Sequence, residues 1–215
     1  STINNAYTVL TFNELILHMH MLKDIYMVDD DLAILDSMQF MLLQYEYNLQ
    51  VFNSAISFIN AIDITQPGCL IVDSKMPEIT GQELQQKLIA ANSPLGIIFL
   101  TGHGDLPMAV NAFRQGACDF FQKPVNGKEL VVAIEKAFTC SHKMFESILL
   151  KQRYNTLTER EIQVLHLLIE GKTNKQMADK LYLSLRTIEV HRSKIIKKLA
   201  VHNAAELAKF SPLLA

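Results

Sequence analysis

The chain has 215 residues, 49% of them apolar, with 20 basic against 22 acidic side chains for a net charge of −2 at pH 7, which bounds it to one or two domains with a real core. No apolar run reaches the length of a membrane span, and nothing at the start reads as a signal peptide. Cys69, Cys118 and Cys140 are odd in number and far apart; they suit reduced thiols of a cytoplasmic protein better than a disulfide scaffold, with apolar burial the favoured role of Cys69 and Cys118.

Residues 1–22 do not fit the pattern that follows. They mix polar residues with Leu15, Ile16, Leu17, Met19, Met21 and Leu22, compatible with a short amphipathic helix. His18 and His20 would share a face of a strand and could hold a metal there, but an appended segment of unassigned role is the favoured reading.

From residue 23 strands and helices alternate. Ile25-Tyr26-Met27-Val28 reads as a buried strand ending in Asp29-Asp30-Asp31, and Leu32, Leu35, Met38 and Leu42 follow at helical spacing. Asp31 is expected to cap that helix. A strand at 49–52 and a helix at 54–62 come next. Cys69-Leu70-Ile71-Val72 then reads as a strand buried on both faces, and it ends in Asp73-Ser74-Lys75-Met76-Pro77. Pro77 and Gly81 mark a loop, and 82–90 reads as helix, stopped by Asn92-Ser93-Pro94. Ile97-Ile98-Phe99-Leu100 is a further strand, ending in Thr101-Gly102. Asp105 is the expected cap of the next helix, with Pro107 in its first turn and an end near Gly116. Phe120-Phe121-Gln122 is a short last strand before Lys123-Pro124, and Asn126 with Glu129 has capping-box spacing for a helix carrying Leu130, Val131, Ile134 and Ala137. Five strands alternating with five helices predict a doubly wound α/β fold with a five-stranded parallel sheet, flavodoxin-like.

Such folds place their chemistry at the carboxyl edge of the sheet. Asp29, Asp30, Asp73, Thr101 and Lys123 all fall there. Clustered carboxylates raise one another's pKa unless a cation sits among them. Hard oxygen donors without a Cys/His set favour Mg²⁺, which keeps waters and helps bind phosphate. The Lys123 charge and the Thr101 hydroxyl suit phosphoryl oxygens. Together these residues read as a site where Asp73 becomes phosphorylated.

Asp29/Asp30, the Asp73-x-x-Met76-Pro77 loop, Thr101-Gly102 and Lys123-Pro124, in agreeing spacing across about a hundred residues, resemble the receiver domain of bacterial response regulators. The run Leu100-Thr101-Gly102-His103-Gly104-Asp105, followed by Pro107-Met108-Ala109-Val110, resembles the FixJ subgroup. Val125 departs from the aromatic residue more usual after Lys-Pro, with a surface contact the expected change. His103 receives no role.

Residues 139–155 hold no Gly or Pro, and Met144, Ile148 and Leu149 sit at helical spacing, so 139–156 reads as a connecting helix. The charge then changes sign: residues 23–138 carry 7 basic and 14 acidic side chains, residues 157–215 carry 10 and 6. Only the second half is therefore expected to meet nucleic acid. There Thr158 and Glu161 have capping-box spacing, Ile162, Leu165, Leu168 and Ile169 line a helix, and Gly171 closes it. A short helix at 174–181, the turn Tyr182-Leu183-Ser184 and a helix to about Leu199 make a helix-turn-helix in a small all-α domain at 157–215. A solvated charged face is the bland account of Arg186, Arg192, Lys194, Lys197 and Lys198; the separate apolar face of Ile188, Ile195, Ile196 and Leu199 weakens it. Leu157-Thr158-x-x-Glu161, Asn174-Lys175 and Ser184-x-x-Thr187-x-x-x-His191 resemble a LuxR-type DNA-binding domain. The two halves together resemble a NarL/FixJ-family response regulator.

That resemblance implies roles. Asp73 takes a phosphoryl group from a sensor histidine kinase; Asp29, Asp30 and Asp73, with the backbone carbonyl of Lys75, hold Mg²⁺ (or Mn²⁺); Thr101 and Lys123 bind the phosphoryl oxygens. Phe120 matches the family's switch aromatic, with plain core packing as the rival. Glu189, Val190 and Ser193 face the major groove of an operator in double-stranded DNA, Lys175, Thr187, Arg192, Lys194 and Lys197 meet its backbone, and Arg186 is a further DNA-binding residue. Leu207 and Phe210, on a helix at 204–210, are expected to be exposed for homodimerisation upon phosphorylation, with packing onto their own domain as the rival. RNA polymerase is a compatible partner and a membrane is not. The expected function is transcription regulation, not enzymic turnover. An aspartyl-phosphate phosphatase is the enzyme alternative, disfavoured because Lys75 stands where such enzymes place a second Asp; a receiver that is never phosphorylated is the other, disfavoured by the complete residue set.

Overall fold

Both faces of the central sheet are covered, which is why its strands hold few polar side chains. The structure, a computed structural model, describes residues 23–102 and 106–214. The 1–22 segment with its His18/His20 pair, His103 and the expected cap Asp105 lie outside the described residues. Strands β1 (Ile25–Val28), β2 (Leu49–Phe52), β3 (Cys69–Asp73), β4 (Gly96–Thr101) and β5 (Asp119–Gln122) are all parallel, in the order β2-β1-β3-β4-β5. The period-two alternation of strand side chains divides the apolar residues between two cores. Ile25, Met27, Cys69, Ile71, Ile98 and Leu100 face one side, with Leu35, Met38 and Leu42 of α1 (Leu32–Leu43) and Leu130, Ile134 and Ala137 of a long later helix. Tyr26, Val28, Leu70, Val72, Ile97 and Phe99 face the other, with Phe58 of α2 (Ala55–Ala61), Leu84 and Leu88 of α3 (Gly81–Ala90) and Ala112 of α4 (Leu106–Arg114). This is the predicted five-stranded doubly wound fold.

Caps set the helix starts. The Asp31 carboxylate accepts the Ala33 N–H at 2.9 Å, as expected, and Ser54 caps α2. Thr80 and Glu83 form a reciprocal capping box on α3. Asn126 accepts the N–H of Lys128 at 2.9 Å at the head of α5 (Gly127–Tyr154). That helix is longer than the sequence suggests: the last receiver helix and the connecting helix are one uninterrupted element. Nothing in residues 127–154 breaks a helix, so no boundary falls near residue 138. α5 also runs close over the sheet. A Cβ on Gly96 would lie 2.3 Å from the Ala137 carbonyl oxygen, and the Gly68 N–H donates to Ser141 Oγ at 2.9 Å. Val125 is half-buried and packs on the first core rather than only touching the surface.

The chain divides into two compact units between Phe145 and Glu146. The second contains α6 (Glu159–Ile169), α7 (Asn174–Leu181), α8 (Leu185–Leu199) and a 3₁₀ stretch at Ala204–Leu213. Thr158–Glu161 and Thr173–Gln176 are both complete capping boxes, and Ser184 accepts the Thr187 N–H at 3.1 Å. Tyr182 ends α7 with φ 55°, a left-handed turn that reverses the chain into α8. Val164, Leu165, Met177, Ile188, Ile195 and Leu199 form the core.

Leu207 and Phe210 belong to that core too, 1% and 0% exposed. The expectation that they present a dimerisation face is thereby corrected: an apolar pair three residues apart reads the same whether it faces a partner or its own domain, and here it closes the domain's own core.

An ion pair with a buried carboxylate ties α6 to α8. Glu161, 3% exposed, accepts from Lys198 Nζ at 2.6 Å, and the same ammonium reaches the Thr156 carbonyl at 2.9 Å. Burial alone would raise the Glu161 carboxyl, but the Lys198 and Thr158 hydrogen bonds outweigh it and hold it below the ordinary glutamate value. A depressed carboxyl contributes stability above its unfolded pKa of about 4.3 and loses it as pH falls through the folded value. Glu161→Gln should therefore destabilise this unit by about 1–3 kcal/mol at pH 7, and the deficit should shrink in urea melts as the pH drops below about 4.

Candidate functional site

The strand register assembles the acidic site. Val28 pairs with Val72, Asp73 with Leu100 and Thr101 with Gln122, so β1, β3, β4 and β5 all end at one edge. Asp29, Asp73 and Thr101 are 1%, 5% and 0% exposed. Lys123 enters from the end of β5, where its N–H donates to the Thr101 carbonyl at 2.7 Å. Its Nζ lies 2.6 Å from Asp29 Oδ2 and 2.8 Å from Asp73 Oδ1. The remaining carboxylate oxygens are held by backbone: the Asp31 N–H donates to Asp29 Oδ1 at 3.0 Å and the Lys75 N–H to Asp73 Oδ2 at 2.7 Å. The Lys123–Pro124 peptide is cis.

The electrostatics follow from burial. Desolvation pushes the Asp29 carboxyl above its ordinary value, against the pull of Lys123. Desolvation also opposes the Lys123 charge, but hydrogen bonds to both carboxylates outweigh it and hold the ammonium pKa above the ordinary one. The cluster is a pair of buried carboxylates bridged by the Lys123 ammonium.

Asp30 is exposed, and among the described residues no three His, Cys, Asp or Glu side chains come together as a metal-binding group. Two of the three sequence-expected carboxylates thus converge and Asp30 does not join them. Lys75 is exposed on the loop after β3. Phe120 is half-buried and its ring lies 6.4 Å from that of Phe99, with 30° between the planes. Gly81 does more than mark a loop. A Cβ there would fall 2.4 Å from the Asp73 carbonyl oxygen, so only glycine lets the head of α3 close over the Asp73 backbone. A close backbone approach leaves no sequence signal beyond the glycine itself.

The second unit presents a different surface. Arg186, Glu189, Val190, Ser193, Lys194 and Lys197 are presented on α8 at i, i+3, i+4, i+7, i+8 and i+11, a continuous stripe opposite buried Ile188, Ile195 and Leu199. Lys175 is exposed on α7. Thr187 and Arg192 are half-buried: the Thr187 hydroxyl lies 2.8 Å from that of Ser184, and Arg192 hydrogen-bonds the Asn174 side chain. Both are tied into the helix-turn-helix scaffold as well as lying beside the stripe.

Residues 25–135 match the response regulator receiver domain family, and residues 155–211 match the luxR family of bacterial regulatory proteins. The chain is 39% identical to the response regulator protein TmoT of Ectopseudomonas mendocina, over 88% of this chain and 88% of that protein. It is 36% identical to the transcriptional regulatory protein FixJ of Bradyrhizobium diazoefficiens, over 87% of this chain and 93% of that one. Among solved structures it resembles the response regulator StyR with a TM-score of 0.68 and 34% identity, covering 89% of this chain and 98% of that one.

Lys123→Met would leave Asp29 and Asp73 facing each other without a cation. The Asp29 carboxyl should then rise further above its unfolded value. A raised carboxyl makes the folded state hold its proton more tightly, so the variant's stability should fall as pH rises above about 4. Urea melts at pH 7 should show a loss of about 1–3 kcal/mol that narrows towards acid pH.

Proposed function

The chain belongs to the NarL/FixJ family of response regulators, which join a receiver domain to a LuxR-type DNA-binding domain, and on that premise we propose that Asp73 accepts a phosphoryl group from a sensor histidine kinase and that this step promotes homodimerisation and operator binding. The meeting of Asp73, Asp29 and Lys123 at one sheet edge carries this reading. In the transfer the donor's N–P bond breaks and a bond from phosphorus to an Asp73 carboxylate oxygen forms. Asp73 is the nucleophile; the Lys75 N–H holds its other oxygen and orients it. Lys123, already charged and within reach, pairs with the incoming phosphoryl oxygens, and the buried Thr101 hydroxyl is their hydrogen-bond donor. Positioning and charge neutralisation supply most of the catalysis in such transfers.

The donors also fit Mg²⁺ or Mn²⁺. Asp29 and Asp73 already converge on one cation, the Lys123 ammonium, and they offer hard oxygens without sulfur or imidazole. Asp29, Asp73 and the Lys75 carbonyl would hold the ion, with Asp30 adding charge beside it and water completing the shell. When bound, the ion neutralises charge that develops on the phosphoryl group. No catalytic turnover of a substrate is implied.

For readout, the exposed stripe on α8 supports binding in a major groove. Glu189, Val190 and Ser193 would meet base edges, and Lys175, Arg186, Arg192, Lys194 and Lys197 the phosphates. With Leu207 and Phe210 in the core, exposed Val110 and Phe113 on α4 are the surface that supports dimerisation. Among the described residues no helix is long and apolar enough to cross a membrane; the proposed setting is the cytoplasm, with RNA polymerase a further partner at the promoter.

Two experiments test this. Asp73→Asn should abolish Mg²⁺-dependent labelling of the full chain by acetyl phosphate, because the amide is a poor nucleophile; retained labelling would displace the site. On DNA, Lys194→Ala and Lys197→Ala should weaken binding to every sequence alike and flatten the salt dependence by about one unit of slope each. Glu189→Ala should instead relax the base preference at one position by roughly 1–3 kcal/mol, measured against single-base operator variants at fixed salt.

A further inference from the structure

At the opposite, amino-terminal edge of the sheet, two cysteines far apart in sequence come together. Cys118 leads into β5 and is fixed there by its N–H, which donates to the Ile97 carbonyl at 2.7 Å. Cys140 sits on α5 with its residue exposed. The register of α5 around Cys140 is pinned on three counts. Lys136 pairs with Asp119 at 3.7 Å, the Ala137 backbone fills the space above Gly96, and Ser141 accepts the Gly68 N–H. These contacts hold α5 against the amino-terminal edge of the sheet on either side of Cys140. Both line one cleft of about 220 Å³, with Leu95, Gly96, Gly116 and Met144. Neither thiol has a part in the phosphoacceptor or DNA-binding surfaces.

We propose that Cys118 and Cys140 are a reversible redox site, at which a low-molecular-weight organic disulfide of the glutathione type converts the pair to an intramolecular disulfide joining the start of β5 to α5. Exposed Cys140 is the attacking thiol. Its sulfur, as thiolate, displaces one half of the reagent, so that a mixed S–S bond forms, the reagent's S–S bond breaks and one thiol leaves. Cys118 then attacks the Cys140 sulfur, closing the internal bond and releasing the second thiol. The protein loses two hydrogens and two electrons, and one reagent disulfide becomes two thiols. The division of labour follows from burial: Cys118 is buried, and desolvation together with Cys140 pushes its thiol up to about 12, so it is the poor first attacker and the resolving partner. Cys69 is fully buried with its thiol pushed well up and stays reduced. The closed ring contains Phe120 and Lys123, so the redox state acts on the strand that delivers the phosphoacceptor lysine. In a reducing compartment such a pair serves as a transient sensor rather than a permanent brace.

The test uses the full chain, fully reduced and then incubated with glutathione disulfide. Intact mass spectrometry should show loss of two hydrogens without a retained adduct, and a non-reducing peptide map should join Cys118 to Cys140, reversed by dithiothreitol. Cys118→Ser should stop at a stable glutathione adduct on Cys140, and Cys140→Ser should react far more slowly at every position. Wild-type protein that accumulates only the Cys140 adduct, that links Cys140 to Cys140 between molecules, or that does not react would overturn the proposal.

Discussion

A single ammonium group between two buried carboxylates is the contact on which the receiver half depends. Asp29 and Asp73 stand at the ends of adjacent strands, nearly without solvent, and Lys123 Nζ touches both at 2.6 and 2.8 Å. Burial penalises each charge, and mutual repulsion penalises the second carboxylate further. The lysine offsets both costs, and it does so from a third strand end, β5, hydrogen-bonded to Thr101 of β4. The site is therefore a device for holding negative charge where water does not reach. On the proposed reading, an incoming phosphoryl group would bring more of the same charge to an arrangement already organised around a cation.

That constraint explains features that look unrelated. The strands must be parallel and in register for their ends to meet, and covering helices must keep both faces dry. Gly81 is needed because α3 begins directly above the Asp73 carbonyl. Gly96 is needed at the far edge, where α5 passes over the start of β4. The same close passage of α5 brings Cys140 into one cleft with Cys118, so the sheet gathers charged groups at one edge and two thiols at the other.

The DNA-binding half meets a different requirement, to bury one face of α8 while leaving another in water. Ile188, Ile195 and Leu199 meet the first need, and the stripe from Arg186 to Lys197 meets the second. Glu161 and Lys198 clamp α6 to α8. Removing Lys198 would leave the buried Glu161 carboxylate uncompensated, which is costly, so the pair holds α6 and α8 together.

Local signals in the sequence determined much of this protein. Four-residue apolar runs, capping residues at Asp31, Thr158 and Ser184, and acidic, hydroxyl and basic residues placed at strand ends prescribe the α/β fold, the helix-turn-helix and the placing of Asp29, Asp73, Thr101 and Lys123 at one sheet edge. These were legible because periodicity and strand-end position are properties of neighbouring residues. What required the tertiary structure were choices between equally apolar or equally charged alternatives. Leu207 and Phe210 carry the same pattern whether they face a partner or a core, and only packing put them inside. Asp29 and Asp30 are chemically alike, and the turn of one residue buried the first and left the second in solvent. No breaker marks residue 138, so only the continuous backbone hydrogen bonding of α5 joined two expected helices. That Cys118 and Cys140 line one cleft was invisible because it arises from how closely a helix lies over a sheet at Gly96 and Ser141, and not from any pattern around the cysteines themselves.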